Sequence, residues 1–359
     1  MADSATASAP GRVNLIGEHT DYHQGFVLPT VIPLRTTASV TLRSDRRVRA
    51  ASIAMGDGFE EYEVGREQRG RGWLDYLQGI TVVLRRHGVR PPGFDVQIES
   101  TVPAGAGVSS SAALEVSVLR ALRDLLVFDA DDLTLARMAH AVETDFVGAP
   151  VGVMDQIAVT IGEEGEALFI DTRTLHMESV PLPSCLEIVV IDSGVPHAHA
   201  GGMYATRRRE SFDAAARLGV EWMRDLDRRT LSRIDALPPP LAGRARHVVT
   251  ENQRVLEAVR ALRTNNLARL GALIAASHTS MRDDYETSTR EVDALVTIAQ
   301  RHPDVYGARL TGGGFGGAVV ILARRGQGDR AALAIRDRYR EQTGRHGVVL
   351  VPTSQIGAA

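Results

Sequence analysis

The 359-residue chain contains no lysine; all 41 of its basic residues are arginine. That absence removes the lysine of a Walker A phosphate loop, the Schiff-base lysine of pyridoxal chemistry and the strand lysine of protein kinases. Any phosphate handled here must be held by backbone amides, hydroxyls, arginine and a metal. Cysteine is almost as scarce. The single Cys185 allows no intramolecular disulfide framework and no multi-cysteine zinc site. No apolar run approaches the ~20 residues that span a bilayer. The opening MADSATASAPGR lacks a basic segment followed by an apolar one, so no secretory signal is expected and the cytoplasm is the natural location. Net charge is −3 and mixed in sign along the chain, so nothing suggests a nucleic-acid groove or an anionic membrane surface. At this length two domains are the expectation. The 44% hydrophobic and 24% charged content is that of a globular enzyme.

What is present centres on Gly105–Ala113, GAGVSSSAA, followed by the apolar-periodic run Leu114–Leu126. Glycines let a backbone approach a ligand closely. Serines cap a helix and leave its first N–H groups facing outward, where the helix dipole favours an anion. The stretch reads as a phosphate cradle or as an ordinary serine-capped turn, and alone it does not decide between them.

Along the chain, Gly11–Gly17 (GRVNLIG) alternates apolar and polar residues as a strand with one buried face, then enters a polar loop, Glu18–Gly25. Strands are predicted at Leu34–Arg43, Val48–Ile53 and Phe94–Glu99, and helices at Trp73–Arg86 and Leu133–Phe146. GAPVGVMDQIAVTIGEEG surrounds Asp155 with glycine, proline and apolar residues. A short strand follows at Ala167–Asp171. Prolines interrupt a weakly ordered stretch, Leu175–Cys185, which places a domain boundary at about 178/179. Leu186–Asp192 is a buried-type strand. Helices then fall at Tyr204–Leu218, Ala245–Leu262, Leu267–Arg282, Thr289–Arg301 and Arg330–Tyr339, and strands at Gly307–Thr311, Ala318–Ala323 and Val348–Pro352. Strand runs alternating with helix runs predict a layered α+β fold rather than one doubly wound parallel sheet.

Three further groups carry chemistry. Gly312–Gly317, GGGFGG, formally matches the dinucleotide-binding spacing, but that fingerprint needs a helix after the glycines and AVVILA reads as a strand. It is either a tight hairpin or backbone making room for something. Asp155 and Glu143 stand 12 residues apart; an acid enclosed by apolar residues needs a partner, and a carboxylate with a serine hydroxyl suits Mg²⁺. A second carboxylate can orient or deprotonate a hydroxyl nucleophile. Glu18–Asp21, EHTD, offers directional polar groups of the kind a polyhydroxylated ligand needs. His19 and His23 lack a nearby third ligand, so zinc is not expected.

GRVNLIGEHTDY, PAGAGVSSSAAL, GVMDQ and LTGGGFGG, in this order, resemble the galactokinases of the galactokinase–homoserine kinase–mevalonate kinase–phosphomevalonate kinase superfamily. SHTSMRDDYETS (Ser277–Ser288) and GGMYATRRRE (Gly201–Glu210) extend the resemblance over nearly the whole chain. It implies a two-domain α+β small-molecule kinase with its active site in the interdomain cleft. Residues 1–178 would hold the sugar-binding segment and the ATP loop, and 179–359 the glycine-rich supporting loop. Gly105, Ala106, Gly107, Val108, Ser109, Ser110 and Ser111 would wrap the ATP phosphates. Ser111 and Glu143 would hold Mg²⁺. Glu18, His19, Asp21, Gly152 and Tyr204 would bind galactose, with Asp155 at the anomeric hydroxyl and Arg12 beside it. The partners would be galactose and ATP, with no nucleic acid or membrane, and the chain would act as a monomer. His23 departs from the family's usual asparagine, Val108 from its leucine, and Val151 and Ala318 from positions where cysteine is common.

The implied reaction is ATP-dependent phosphorylation of α-D-galactose at C1. Arg12 would keep Asp155 ionised and weaken it as a base, so proton removal and orientation of the hydroxyl both fit. The alternatives are a kinase for N-acetylgalactosamine or arabinose, a non-catalytic sugar- and ATP-binding regulator, and a nicotinamide dehydrogenase. The family's sensor relatives lack the serine–alanine pair that Ser111 and Ala112 supply here.

Overall fold

The computed structural model of the chain describes residues 3–53, 56, 58–195 and 200–352. Packing divides the chain into two compact units that interleave in sequence. The first takes the residues up to Arg12, Val31–Ala104 and Ser109–Gly162; the second takes Val13–Thr30, Gly105–Val108 and everything from Glu163 onward. The expected boundary at 178/179 falls inside a strand, His176–Pro181.

The first unit is built on a five-stranded sheet. Its strands are β1 (Ser4–Asn14), β3 (Pro29–Leu42), β6 (Phe94–Ser100), β4 (Arg47–Ser52) and β5 (Glu60–Glu63), in that spatial order, with β2 (Phe26–Val27) belonging elsewhere. β4 runs parallel to β6, and β3 antiparallel to it. Strand β3 alternates buried and exposed positions after Leu34, the period-2 pattern of a half-buried strand. The helices are α1 (Leu74–Arg86), α2 (Ser110–Leu126), α3 (Asp132–Ala141) and α4 (Met154–Ile161). Leu77, Ile80 and Leu84 of α1 and Val116, Leu119 and Leu122 of α2 are wholly buried, as three-to-four spacing requires. One long helix was expected through Phe146. Instead α3 passes into a π-helical turn, Val142–Val147, closed by left-handed Gly148. Such turns are frequent at functional sites, and this one carries Glu143.

The second unit holds a three-stranded sheet, β2–β7–β8, with β7 at Glu166–Asp171 and β8 at His176–Pro181, and a four-stranded sheet in the order β10–β11–β9–β12. Those strands are β9 (Leu186–Asp192), β10 (Val305–Leu310), β11 (Ala318–Arg324) and β12 (Val348–Val351). The stretch expected to be weakly ordered is therefore paired: β8 lies antiparallel to β7 from Asp171↔His176 to Glu166↔Pro181. Proline is tolerated because Pro181 ends an edge strand, where no ladder N–H is needed. Among the described residues six α-helices complete the unit: α5 (Ala200–Leu218), α6 (Leu231–Asp235), α7 (Leu241–Arg263), α8 (Leu267–Asp283), α9 (Arg290–Gln300) and α10 (Gly328–Thr343). One core joins β9–β11 to α8–α10 through Val189, Ile321, Leu295 and Ile335, and another joins α5–α7 through Leu218, Val248 and Tyr285.

Helix α8 presses directly on β10. A Cβ built on Gly271 would fall 1.9 Å from the Tyr306 carbonyl oxygen, and one on Gly307 2.9 Å from Gly271 Cα. β10 runs straight into the Gly312–Gly317 loop, so this close approach sets where that loop begins. Gly271→Ala, which sets a methyl against immovable backbone, is expected to cost about 1–3 kcal/mol of folding free energy. A urea denaturation curve reads this as an earlier midpoint; an unchanged midpoint would contradict the packing.

Candidate active site

The first unit gathers Arg12, Asp155 and Ser109. Both faces of β1 are buried from Ala9 to Asn14, not one as the alternation suggested, because the polar side chains of Arg12 and Asn14 find hydrogen-bond partners. Arg12 donates from Nε to Asp155 Oδ1 at 2.8 Å and from Nη2 to Oδ2 at 2.6 Å. This bidentate fork fixes the plane of a carboxylate. Asp155 sits in the first turn of α4, whose Ile157, Ala158 and Val159 are buried, yet its side chain is 30% exposed. Ser109 Oγ donates to Oδ2 at 2.7 Å. The carboxylate is thus held by three donors and still open to a ligand.

Ser109 occupies the N-cap of α2 but makes no capping bond, so the serine-capped turn that the sequence also allowed is not formed. Its hydroxyl is committed to Asp155. The first N–H groups of a helix have no partner within it, and an uncapped N-terminus with its dipole favours an anion.

Glu143 is buried. Its side chain accepts from Gln156 Nε2 at 2.7 Å and bonds the Ser111 hydroxyl. Burial pushes its carboxyl above the usual range, Ser111 pulls the other way and the charge of Asp155 adds to the rise. Glu115, wholly buried, is pushed up by burial and by Glu143. Among the described residues no group of three or more His, Cys, Asp or Glu could hold a metal. One carboxylate with one hydroxyl nevertheless fits a hard dication that takes most of its oxygens from phosphate and water.

The second unit gathers Glu18, His19 and Tyr204. The buried Glu18 carboxylate accepts from Asn14 Nδ2 at 2.9 Å, from the Gly312 amide at 3.0 Å and from Arg309, which is itself fully buried. Burial raises its carboxyl to about 7 against the pull of Arg309. His19 Nε2 lies 3.2 Å from the Gly313 carbonyl, which can only accept. That nitrogen therefore carries the proton, and Nδ1 accepts from the Tyr22 hydroxyl at 2.9 Å. Burial lowers His19 to about 3, so the ring is neutral. The Tyr204 and Tyr285 rings stand 5.1 and 4.6 Å from it. Asp21 Oδ1 accepts from the Tyr22 amide. Gly152, two residues before α4, contributes backbone alone.

The glycine cluster is a hairpin loop between antiparallel β10 and β11, and it also makes room. Gly312, Gly314, Gly316 and Gly317 all take positive φ. A Cβ on Gly312 would lie 2.9 Å from the Gly107 carbonyl, and one on Gly313 3.1 Å from the Tyr204 ring. In Gly105–Ser111 the Ala106 and Val108 side chains are buried.

The sequence motifs did not signal the α7 face that secures the Gly17–Phe26 segment. His247 Nε2 lies 3.0 Å from the Glu18 carbonyl, Glu251 accepts from the Gly17 amide at 3.0 Å, and Asn252 accepts from the Phe26 amide at 2.9 Å. Although burial opposes it, Arg254 and His247 hold Glu251 down to about 2. The available signal was polar residues four and five apart on a helix face that is otherwise apolar.

Residues 2–42 match the galactokinase galactose-binding signature, 75–163 the GHMP kinase N-terminal domain and 258–341 the GHMP kinase C-terminal domain. The galactokinase of Chloroflexus aurantiacus is 42% identical over 98% of this chain and 92% of its own length. That of Haemophilus influenzae is 40% identical over 98% and 94%. The crystal structure of Lactococcus lactis galactokinase complexed with galactose superposes with a TM-score of 0.91 at 33% identity, covering 96% of this chain and 92% of that one. The layered two-domain α+β kinase fold accounts for both units, and identity of this degree along almost the entire chain leaves one conclusion: this sugar kinase belongs to the galactokinase family.

Proposed function

We propose that the chain transfers the γ-phosphoryl group of ATP to the C1 hydroxyl of α-D-galactose, giving galactose 1-phosphate and ADP. The observation that carries the chemistry is Asp155, a carboxylate clamped by Arg12 and Ser109 yet open on one side. Phosphoryl transfer asks for in-line positioning and neutralised charge more than covalent help, and positioning can supply roughly 7–11 kcal/mol of a barrier. Asp155 accepts the hydrogen bond of the C1 hydroxyl and aims its oxygen, taking the proton as the new bond forms. Arg12 fixes the carboxylate and balances its charge. Glu18, His19, Asp21, Gly152 and Tyr204 form the sugar-binding set. Of these, Glu18 and His19 also anchor the glycine loop through Gly312 and Gly313.

Gly105–Ser111 receives the phosphates on backbone amides and the α2 N-terminus. Phosphoryl transfer from ATP calls for a divalent cation, and Mg²⁺ held by Ser111 and Glu143 would neutralise charge on the phosphates. Residues 1–178 supply the sugar segment and phosphate loop, and 179–359 the supporting glycine loop. The enzyme works as a monomer in the cytoplasm, without nucleic-acid or membrane partners; no described helix is long and apolar enough to cross a membrane.

A coupled ADP-release assay with galactose, glucose, N-acetylgalactosamine and arabinose tests the assignment. Galactose is expected to give the highest kcat/KM, and a better substrate among the other three would overturn it. Asp155→Ala is expected to abolish turnover while ATP binding, followed by calorimetry, stays near wild type. Near-normal turnover in that variant would remove Asp155 from the mechanism.

A further inference from the structure

The phosphate loop turns on left-handed residues. Two are glycines, Gly105 at φ 77° and Gly107 at φ 75°; the third is Ser109 at φ 63°. That conformation is free for glycine and costly for any residue with a Cβ. A side chain kept where glycine would be easier is kept for what the side chain does.

What it does is not helix capping, since Ser109 makes no side-chain bond to the α2 N-terminus. Its hydroxyl is buried and lies 2.7 Å from Asp155 Oδ2. Arg12 approaches the same carboxylate through Nε on Oδ1 and Nη2 on Oδ2, so the serine is a third donor, coming from a different element. Two donors from one guanidinium fix the plane of the carboxylate; a third, from the N-cap of α2, holds Oδ2 from another side.

We propose that the Ser109 side chain is a positioning group for the carboxylate that faces the acceptor hydroxyl, and that its hydroxyl is not a ligand of ATP. The loop that receives the phosphates thereby also sets the aim of Asp155. The neighbouring serines keep separate tasks: Ser111 bonds Glu143, and Ser110 opens α2. This inference rests on Asp155 being the catalytic carboxylate, and failure of the Asp155→Ala prediction would be seen separately.

The test compares Ser109→Ala with Ser109→Gly. Alanine removes the hydroxyl and keeps the left-handed strain; glycine removes the hydroxyl and relieves the strain, so it remains informative if the alanine variant folds poorly. Steady-state kinetics are expected to show kcat reduced about 10- to 100-fold in both, the scale of a misplaced catalytic group, with KM for ATP unchanged. Wild-type kcat in Ser109→Gly would overturn the proposal by showing that only backbone shape matters. A raised KM for ATP, with or without loss of kcat, would overturn it by making Ser109 a nucleotide ligand.

Discussion

A carboxylate removed from water must be ringed by donors or surrender its charge, and that constraint shapes both functional clusters. In the second unit Glu18 is satisfied by Asn14, Arg309 and the Gly312 amide. Removing one member of such a buried pair typically costs about 3–5 kcal/mol. Through Gly312, Glu18 ties its own segment to the glycine loop, while His247, Glu251 and Asn252 of α7 hold that segment from behind. In the first unit the same rule is only partly met. Asp155 has three donors and an open side, the condition of a group that awaits one more partner.

Helix and strand positions were legible because the apolar spacing is regular. Leu74–Arg86, Phe94–Ser100, Leu186–Asp192 and Leu267–Asp283 match their expected bounds within a residue or two. The π turn at Val142–Val147 was not legible, since one inserted residue leaves helical periodicity nearly intact. Strand β8 was obscured by Pro181, whose position at a strand end only the pairing with β7 reveals. Among the chemical groups, Arg12 beside Asp155 and Ser111 beside Glu143 were legible in the motifs. Asn14, Arg309 and Gln156 were not, because each acts by satisfying another buried polar group, and such partners are set by folding rather than by spacing.

The three serines of Ser109–Ser111 are not equivalent in the fold. As a sequence, GAGVSSSAA is three serines of equal standing. As a structure, Ser109 is strained and turned toward Asp155, Ser111 bonds Glu143, and Ala106 and Val108 face inward. Since lysine is absent, no flexible ammonium stands in for these fixed groups. Amides, hydroxyls and arginine must each be correctly placed, and the buried networks around them supply that placement.

Phosphorus NMR of the enzyme with ATP and galactose tests the central claim most directly. Phosphate on C1 is expected as a new resonance split by the anomeric proton, rising in step with ADP. A phosphate on C6, or ADP formed with no sugar phosphate, would contradict the account.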